Sequence, residues 1–346
     1  QNMYESKAGE RGIFSRVAAQ KIAARNGRRD PDQDFGTNPC SEIILRSNQF
    51  CNLSEIVVRP DDTLASLKSK AEMAAIIGTL QATLTDFRYL RNCWKKNTEE
   101  EALLGVSMTG IMDHYLLSKG ESKDLGKWLE EVRDVAVDTN KKWAEKLGIN
   151  QSAAITCVKP SGTVSQLVDS ASGIHPRFSK HYIRRVRSDN KDPLAIFMGQ
   201  SGFPVEQDVM SPSSAVFSFP VKAPESSVTV KQVGAMQQLE LWKAYQNHWC
   251  EHKPSITVYY TDNEFLQVAQ WIWENFDLCS GISLLPYSDH VYQQAPYEDI
   301  DAEKYDELVA SMPQGVDWDD LEKYEEEDNT TGSQELACVG GACEIV

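Results

Sequence analysis

The chain has 346 residues, 41% hydrophobic and 25% charged, enough for a sizeable core in one large domain or two ordinary ones. Its 35 basic and 51 acidic residues leave a net charge of −16, which argues against nucleic-acid binding through a phosphate-neutralising patch while permitting a local site for a small anion. No apolar run is long enough to span a membrane and residues 1–7 lack signal-peptide character, so a cytoplasmic location is expected.

In chain order, a loop at 9–14 leads into a basic helical stretch over 15–29. The stretch 36–56 follows, with Asn38, Cys40 and Glu42 at alternate positions and Cys51 beyond a polar turn at 46–49. Read as extended chain, alternation puts an amide, a thiol and a carboxylate on one face. An ordinary strand does not carry such a set on an apolar face. If the two segments run close together, the Cys51 thiol reaches the same pocket. Residues 43–45 read as a strand leading away from it.

Asp61-Asp62-Thr63 reads as a helix start, followed by a long helical pattern from Leu64 to about Lys96. The next segment runs through 103–113, where small residues suggest close backbone packing. Residues 122–147 read as an amphipathic helix closed by Gly148. A buried-type strand at 153–158 meets the turn Lys159-Pro160-Ser161-Gly162-Thr163, which should open a helix. Backbone N–H groups and the helix dipole at such a turn suit phosphate, although an ordinary N-cap looks the same. The strand 181–187 carries Arg184, Arg185 and Arg187, suited to a carboxylate or phosphate, or to a half-exposed edge.

From 215 onward strands and helices alternate: strands at 215–219, 227–230, 255–260 and 282–285, helices at 232–251 and 262–276. That alternation predicts an α/β protein with crossover connections. Trp242, Trp249, Trp271 and Trp273 are expected in the core. A last helix at 302–312 is followed by the acidic run 317–328, read as a flexible tether ending in Cys338 and Cys343 with two glycines between them. The domain reading is therefore 1–312 as a catalytic α/β body and 313–346 as a flexible tail carrying a redox dithiol. None of the eight cysteines forms a Cys-x-x-Cys pair, so reduced thiols and no metal site are expected.

Several motifs together resemble the C-terminal part of a class II, adenosylcobalamin-dependent ribonucleotide reductase of the ribonucleoside-triphosphate type. They are Asn38-Pro39-Cys40-Ser41-Glu42, Cys51-Asn52-Leu53, the turn from Lys159 to Ser165, Tyr182 to Arg187, Ser283-Leu284-Leu285-Pro286-Tyr287, Gln293-Gln294-Ala295-Pro296 and the Cys338–Cys343 tail, in the family's order along the whole chain. The resemblance implies the C-terminal portion of a ten-stranded α/β barrel. It implies that Cys40 becomes a thiyl radical and takes the ribose 3′-hydrogen, that Glu42 accepts the 3′-hydroxyl proton, and that Asn38 hydrogen-bonds the ribose hydroxyls. Cys51 would be one of two reducing thiols. Pro160, Ser161, Gly162 and Thr163 would hold the substrate phosphates. Cys338 and Cys343 would reduce the site's disulfide by exchange and be reduced in turn by a thioredoxin-like donor.

Adenosylcobalamin is implied by the resemblance alone, since no Asp-x-His-x-x-Gly motif occurs. The second active-site thiol and the effector site are missing, so the chain is expected to be the C-terminal product of a split or interrupted reductase, inactive without its N-terminal half. A class I large-subunit fragment and a non-catalytic thiol-exchange module are the alternatives. A glycyl-radical enzyme fits less well, because no glycyl-radical loop is visible.

Overall fold

The structure is a computed structural model, and it describes residues 12–120, 122–287 and 293–325. The tail cysteines Cys338 and Cys343 lie outside the described residues. The described residues divide into two compact units, one within 12–177 and 226–287, the other within 178–225 and 293–325.

The first unit is built on parallel segments taken in chain order. Asn52–Val57 pairs in parallel with Leu104–Thr109, residue for residue from Asn52 opposite Leu104 to Val57 opposite Thr109. The expected strand at 153–158 continues the series by single bridges: Val106 to Thr156, then Val158 to Pro254, both parallel. Thr257–Tyr260 pairs in parallel with Ile282–Pro286, and Gly12–Ile13 closes that edge antiparallel. Helices fill the crossovers: Leu64–Gln81 and Asn92–Glu101, then Lys123–Leu147, Ala235–His248 and Phe265–Glu274. Parallel strands need such crossovers, so the expected α/β class holds.

Local chemistry fixes several helix ends. Thr63 and Ser66 form a reciprocal capping box. Ser122 caps Lys123–Leu147, and Gly148 ends it with a φ of 69°. The long helix expected from 64 to about 96 is broken instead. It stops at Gln81, where the Thr83 hydroxyl donates to the Leu80 carbonyl at 2.7 Å and competes with helix continuation.

The small residues of Leu104–Thr109 do pack closely. A Cβ on Gly105 would lie 2.5 Å from Leu53 Cδ2 and 2.9 Å from Ile43 Cδ1. The expected strand at 227–230 is a bridge from Thr229 to Arg177 followed by a 3-10 turn, because Gln232 accepts from the Thr229 backbone. Trp242, Trp249 and Trp271 are buried as expected, whereas Trp273 is 83% exposed.

In the second unit a four-stranded antiparallel sheet runs in the order Tyr297–Asp299, His181–Asp189, Ser214–Lys222, Val205–Gln207. The arginine-bearing strand is therefore central, not at an edge. Arg185 pairs with Glu298, Arg187 with Asp208 at 3.0 Å, and Arg184 lies over the Tyr297 ring at 4.7 Å. Two of the three arginines thus meet carboxylates of the protein itself. Part of the expected tail also belongs here: Trp318–Tyr324 forms a 3-10 helix, and the Trp318 and Tyr324 rings each lie 5.5 Å from Phe197.

Two buried histidines in the first unit set an acid limit on stability. Burial pulls His175 down to about 4 and His252 down to about 3. Both stay neutral in the fold but protonate near 6.5 once unfolded, so stability is complete above pH 6.5 and falls as pH drops. By pH 5 the loss should be about 2 kcal/mol per histidine. Urea midpoints between pH 7 and pH 5 measure this; a flat profile would refute it.

Candidate functional site

The stretch 36–45 is an antiparallel hairpin, Gly36–Thr37 against Ile44–Leu45, and not the extended strand expected across Asn38, Cys40 and Glu42. Its turn is closed by the Ser41 N–H donating to the Asn38 carbonyl at 2.9 Å. Ser41 adopts a φ of 68°, and the Asn38 side-chain oxygen accepts from the Ile43 N–H at 3.0 Å. The turn places Cys40 and Glu42 within electrostatic reach of the same Lys159 ammonium, while the Asn38 side chain is engaged inside the turn. Ser255 Oγ donates to the Cys40 carbonyl at 2.5 Å, tying the turn to the segment that leads into Thr257–Tyr260. His252 ties it to the sheet: its Nδ1 accepts from the Ile44 N–H at 3.3 Å, and its Nε2 donates to the Leu104 carbonyl at 2.9 Å. Its two partners require the neutral tautomer.

Cys40 is half-buried, while Glu42 has no exposed surface. Glu42 Oε1 accepts from Lys159 Nζ at 3.1 Å. Its other oxygen, Oε2, has no hydrogen-bond partner among the described residues. Burial lowers the affinity of Lys159 for its proton, but the charges of Glu42 and Cys40 outweigh it, so the ammonium is held above its ordinary range. Lys159 immediately precedes the Pro160–Thr163 turn, so one ion pair joins the turn to the hairpin.

That turn opens the short helix Thr163–Leu167, as expected. Ser161, however, is already committed: it donates to Glu55 Oε2 at 3.0 Å and accepts from the Ser165 N–H at 3.1 Å. Pro160 and Gly162 are half-buried and Thr163 is exposed. Burial raises the Glu55 carboxyl above its usual range, opposed by Ser161 and Lys159, and its Oε1 has no partner among the described residues.

Cys51 directly precedes Asn52–Val57. Burial, and then the negative charge of Glu42, push its thiol far up. Cys157 is fully buried and raised by the same burial and by Glu42 and Cys51. Cys51, Cys157 and Glu42 therefore share one electrostatic neighbourhood. No group of three His, Cys, Asp or Glu side chains gathers to hold a metal among the described residues.

Sequence reasoning gave no role to Lys159, Glu55, Lys253 or His252. Lys159 lay in the quoted turn, but its partner Glu42 is 117 residues away and nothing in the sequence pairs them. The side chains of the other three meet partners 27 residues or more away, a separation for which one sequence offers no signal.

No protein-family model matches the chain. Among curated proteins it is 28% identical over 384 residues to the adenosylcobalamin-dependent ribonucleoside-triphosphate reductase of Lacticaseibacillus paracasei, covering 98% of this chain and 50% of that protein. It is 30% identical over 316 residues to the protein of that name from Euglena gracilis, covering 89% of this chain and 42% of that one. A crystal structure of a B12-dependent, class II ribonucleotide reductase superposes with a TM-score of 0.75 at 25% identity, covering 94% of this chain and 49% of the other. The class Id α subunit of Actinobacillus ureae, with a TM-score of 0.54 and 11% identity, shares the fold alone.

The chain is a relative of the class II ribonucleotide reductases. More particularly, its curated relatives carry the name adenosylcobalamin-dependent ribonucleoside-triphosphate reductase, and it matches their C-terminal part. The chain spans about half the length of the curated relatives it matches.

Proposed function

We propose that the chain forms the radical half of a ribonucleotide reductase that converts ribonucleoside triphosphates to 2′-deoxyribonucleotides, working with an N-terminal half. The observation that carries this reading is Glu42: a fully buried carboxylate, one oxygen held by Lys159 and the other without a partner among the described residues, two residues from a half-buried cysteine. A buried acceptor oxygen left unpaired is costly in a merely structural role. It suits a base that awaits a hydroxyl.

The chemistry of the donor set fits a radical cofactor. Cys40 is accessible enough to exchange a hydrogen atom with a group outside the hairpin, and it lies beside a base. Adenosylcobalamin, when bound, supplies an organic radical by homolysis of its cobalt–carbon bond. Cys40 Sγ, as a thiyl radical, takes the hydrogen from the ribose 3′-carbon. Glu42 Oε2 takes the proton of the 3′-hydroxyl, and the Asn38 amide holds the ribose hydroxyls. Cys51, its thiol kept protonated by burial, supplies hydrogen and one of two electrons as the 2′-hydroxyl leaves as water. The turn Pro160, Ser161, Gly162 and Thr163 holds the phosphates through backbone N–H groups, since the Ser161 hydroxyl is engaged. A thioredoxin-like donor returns the electrons through Cys338 and Cys343.

The deciding experiment is turnover of a ribonucleoside triphosphate by the chain with the N-terminal half, adenosylcobalamin and thioredoxin. Turnover that ignores cobalamin but needs an iron or manganese subunit would replace this reading with a class I enzyme.

Lys159→Met removes the one side-chain partner that the buried Glu42 carboxylate has among the described residues. Stability should fall by about 2 kcal/mol, less than for a fully buried pair because Lys159 is one-third exposed. Turnover should fall at least tenfold. A variant as stable and as active as the parent would show that the pair does neither job.

A further inference from the structure

Lys253 has no exposed surface, and the proposed chemistry does not use it. Its Nζ donates to Ser41 Oγ at 2.7 Å and to the Ser280 carbonyl at 3.4 Å. Its backbone N–H donates to the Glu42 carbonyl at 3.3 Å. Gly281 makes the room: a Cβ there would lie 1.7 Å from Lys253 Nζ and 2.8 Å from Ser41 Oγ. A buried ammonium is expensive unless its donors are used. Here the shortest of its hydrogen bonds goes to the one residue that separates Cys40 from Glu42.

That residue is itself unusual. Ser41 sits at a φ of 68°, a conformation that side-chain-bearing residues rarely adopt without support. Its φ sets the directions in which Cys40 and Glu42 leave the turn. Two contacts flank it, Ser255 on the Cys40 carbonyl and the Ser41 N–H on the Asn38 carbonyl. Neither restrains the Ser41 side chain, whereas Lys253 does, at a shorter distance than the 3.4 Å at which the same hydroxyl donates to Thr37 Oγ1.

We propose that Lys253 is a positioning residue, which through Ser41 Oγ holds the turn in its left-handed conformation and so fixes the Cys40 thiol relative to the Glu42 carboxylate. This rests on the reductase reading for its purpose but not for its geometry. Burial pulls Lys253 down to about 7, and the charge of Glu42, followed by Cys250 and Cys279, opposes that loss. Pin and base therefore stabilise each other. Lys253 touches no reacting atom, and its effect passes through one hydroxyl.

The test uses the full chain carrying Lys253→Met, Ser41→Ala, both together, and Lys253→Met with Ser41→Gly. Two rates are read: alkylation of Cys40 by iodoacetamide, followed by peptide mass spectrometry, and hydrogen exchange at the Ser41 and Ile43 amides. Lys253→Met should speed alkylation at least threefold and exchange at least tenfold. Ser41→Ala should match it, and the pair should be no worse than either alone. In the Ser41→Gly background, where the left-handed turn needs no support, Lys253→Met should change either rate less than twofold.

Unchanged rates in Lys253→Met, or effects that multiply in the Lys253→Met, Ser41→Ala pair, overturn the proposal. If Lys253→Met does not fold, Ser41→Ala decides alone, since unchanged rates there show that the hydroxyl holds nothing. In the assembled enzyme Lys253→Met should lower kcat at least tenfold with KM within twofold. An active Cys40→Ser enzyme would instead sink the reading of the site, while the two rates would still judge the pin.

Discussion

Cys40→Ser is expected to eliminate deoxyribonucleotide formation by the reconstituted reductase, a loss of about 10³-fold or more in kcat. The hydroxyl is nearly the same size as the thiol and the backbone contacts of the turn are unaffected, because Ser255 grips the Cys40 carbonyl and not its side chain. Stability should therefore change little. What is lost is chemistry: an S–H bond is weak enough to be made and broken reversibly against a ribose C–H bond, and an O–H bond is not. Product formation and the urea midpoint are measured on the same preparation. Turnover within tenfold of the parent, with the fold intact, would remove Cys40 from the reaction. A destabilised variant would show that the thiol is a core residue.

Serine at Cys338 or Cys343 is expected to give the opposite pattern: one product per pre-reduced enzyme, then steady-state turnover with thioredoxin below about 1% of the parent. The reason lies in Cys51. Burial and the neighbouring carboxylate hold its thiol protonated at neutral pH. It can give up hydrogen, but it is a poor attacking thiolate. Reduction of a disulfide formed at Cys51 must begin with a thiolate brought from elsewhere, and the two tail cysteines are the candidates. Rapid-quench counting of the first turnover separates from the steady-state rate. A small dithiol that reaches the site directly should restore cycling. Tail variants that cycle normally with thioredoxin would end the shuttle assignment.

The sequence was most legible where structure is decided within a few residues. Thr63 and Gly148 mark helix ends by a local hydrogen bond or by a left-handed φ, and both were readable. Of the alternation after 215, the segments at 255–260 and 282–285 became parallel strands joined by a helical crossover, whereas 215–219 lies in the antiparallel sheet and 227–230 forms only a bridge. The reading failed where a local competitor interrupts a good pattern, as the Thr83 hydroxyl does after Gln81. It failed at the centre of interest for a related reason. The turn that carries Asn38, Cys40 and Glu42 depends on a left-handed Ser41, and nothing marks a serine for that conformation. The electrostatic surroundings were the least legible. Lys159 lies 117 residues from Glu42, and Lys253 lies 212 from Ser41, so only the assembled parallel sheet reveals which cation meets which polar group.

His252 bridges the hairpin to the sheet through both ring nitrogens, and burial keeps it uncharged far below neutral pH. This makes the imidazole a built-in spectroscopic reporter. In a nitrogen-15 spectrum its Nδ1 should resonate as an acceptor and its Nε2 as a protonated donor, with a slowly exchanging ring proton and no titration across neutral pH. A chain whose site has not assembled would show the averaged, titrating signal of a solvent-exposed ring. One signal would thus count the fraction of molecules with the Cys40 turn seated on its sheet, before any substrate, cofactor or partner is added.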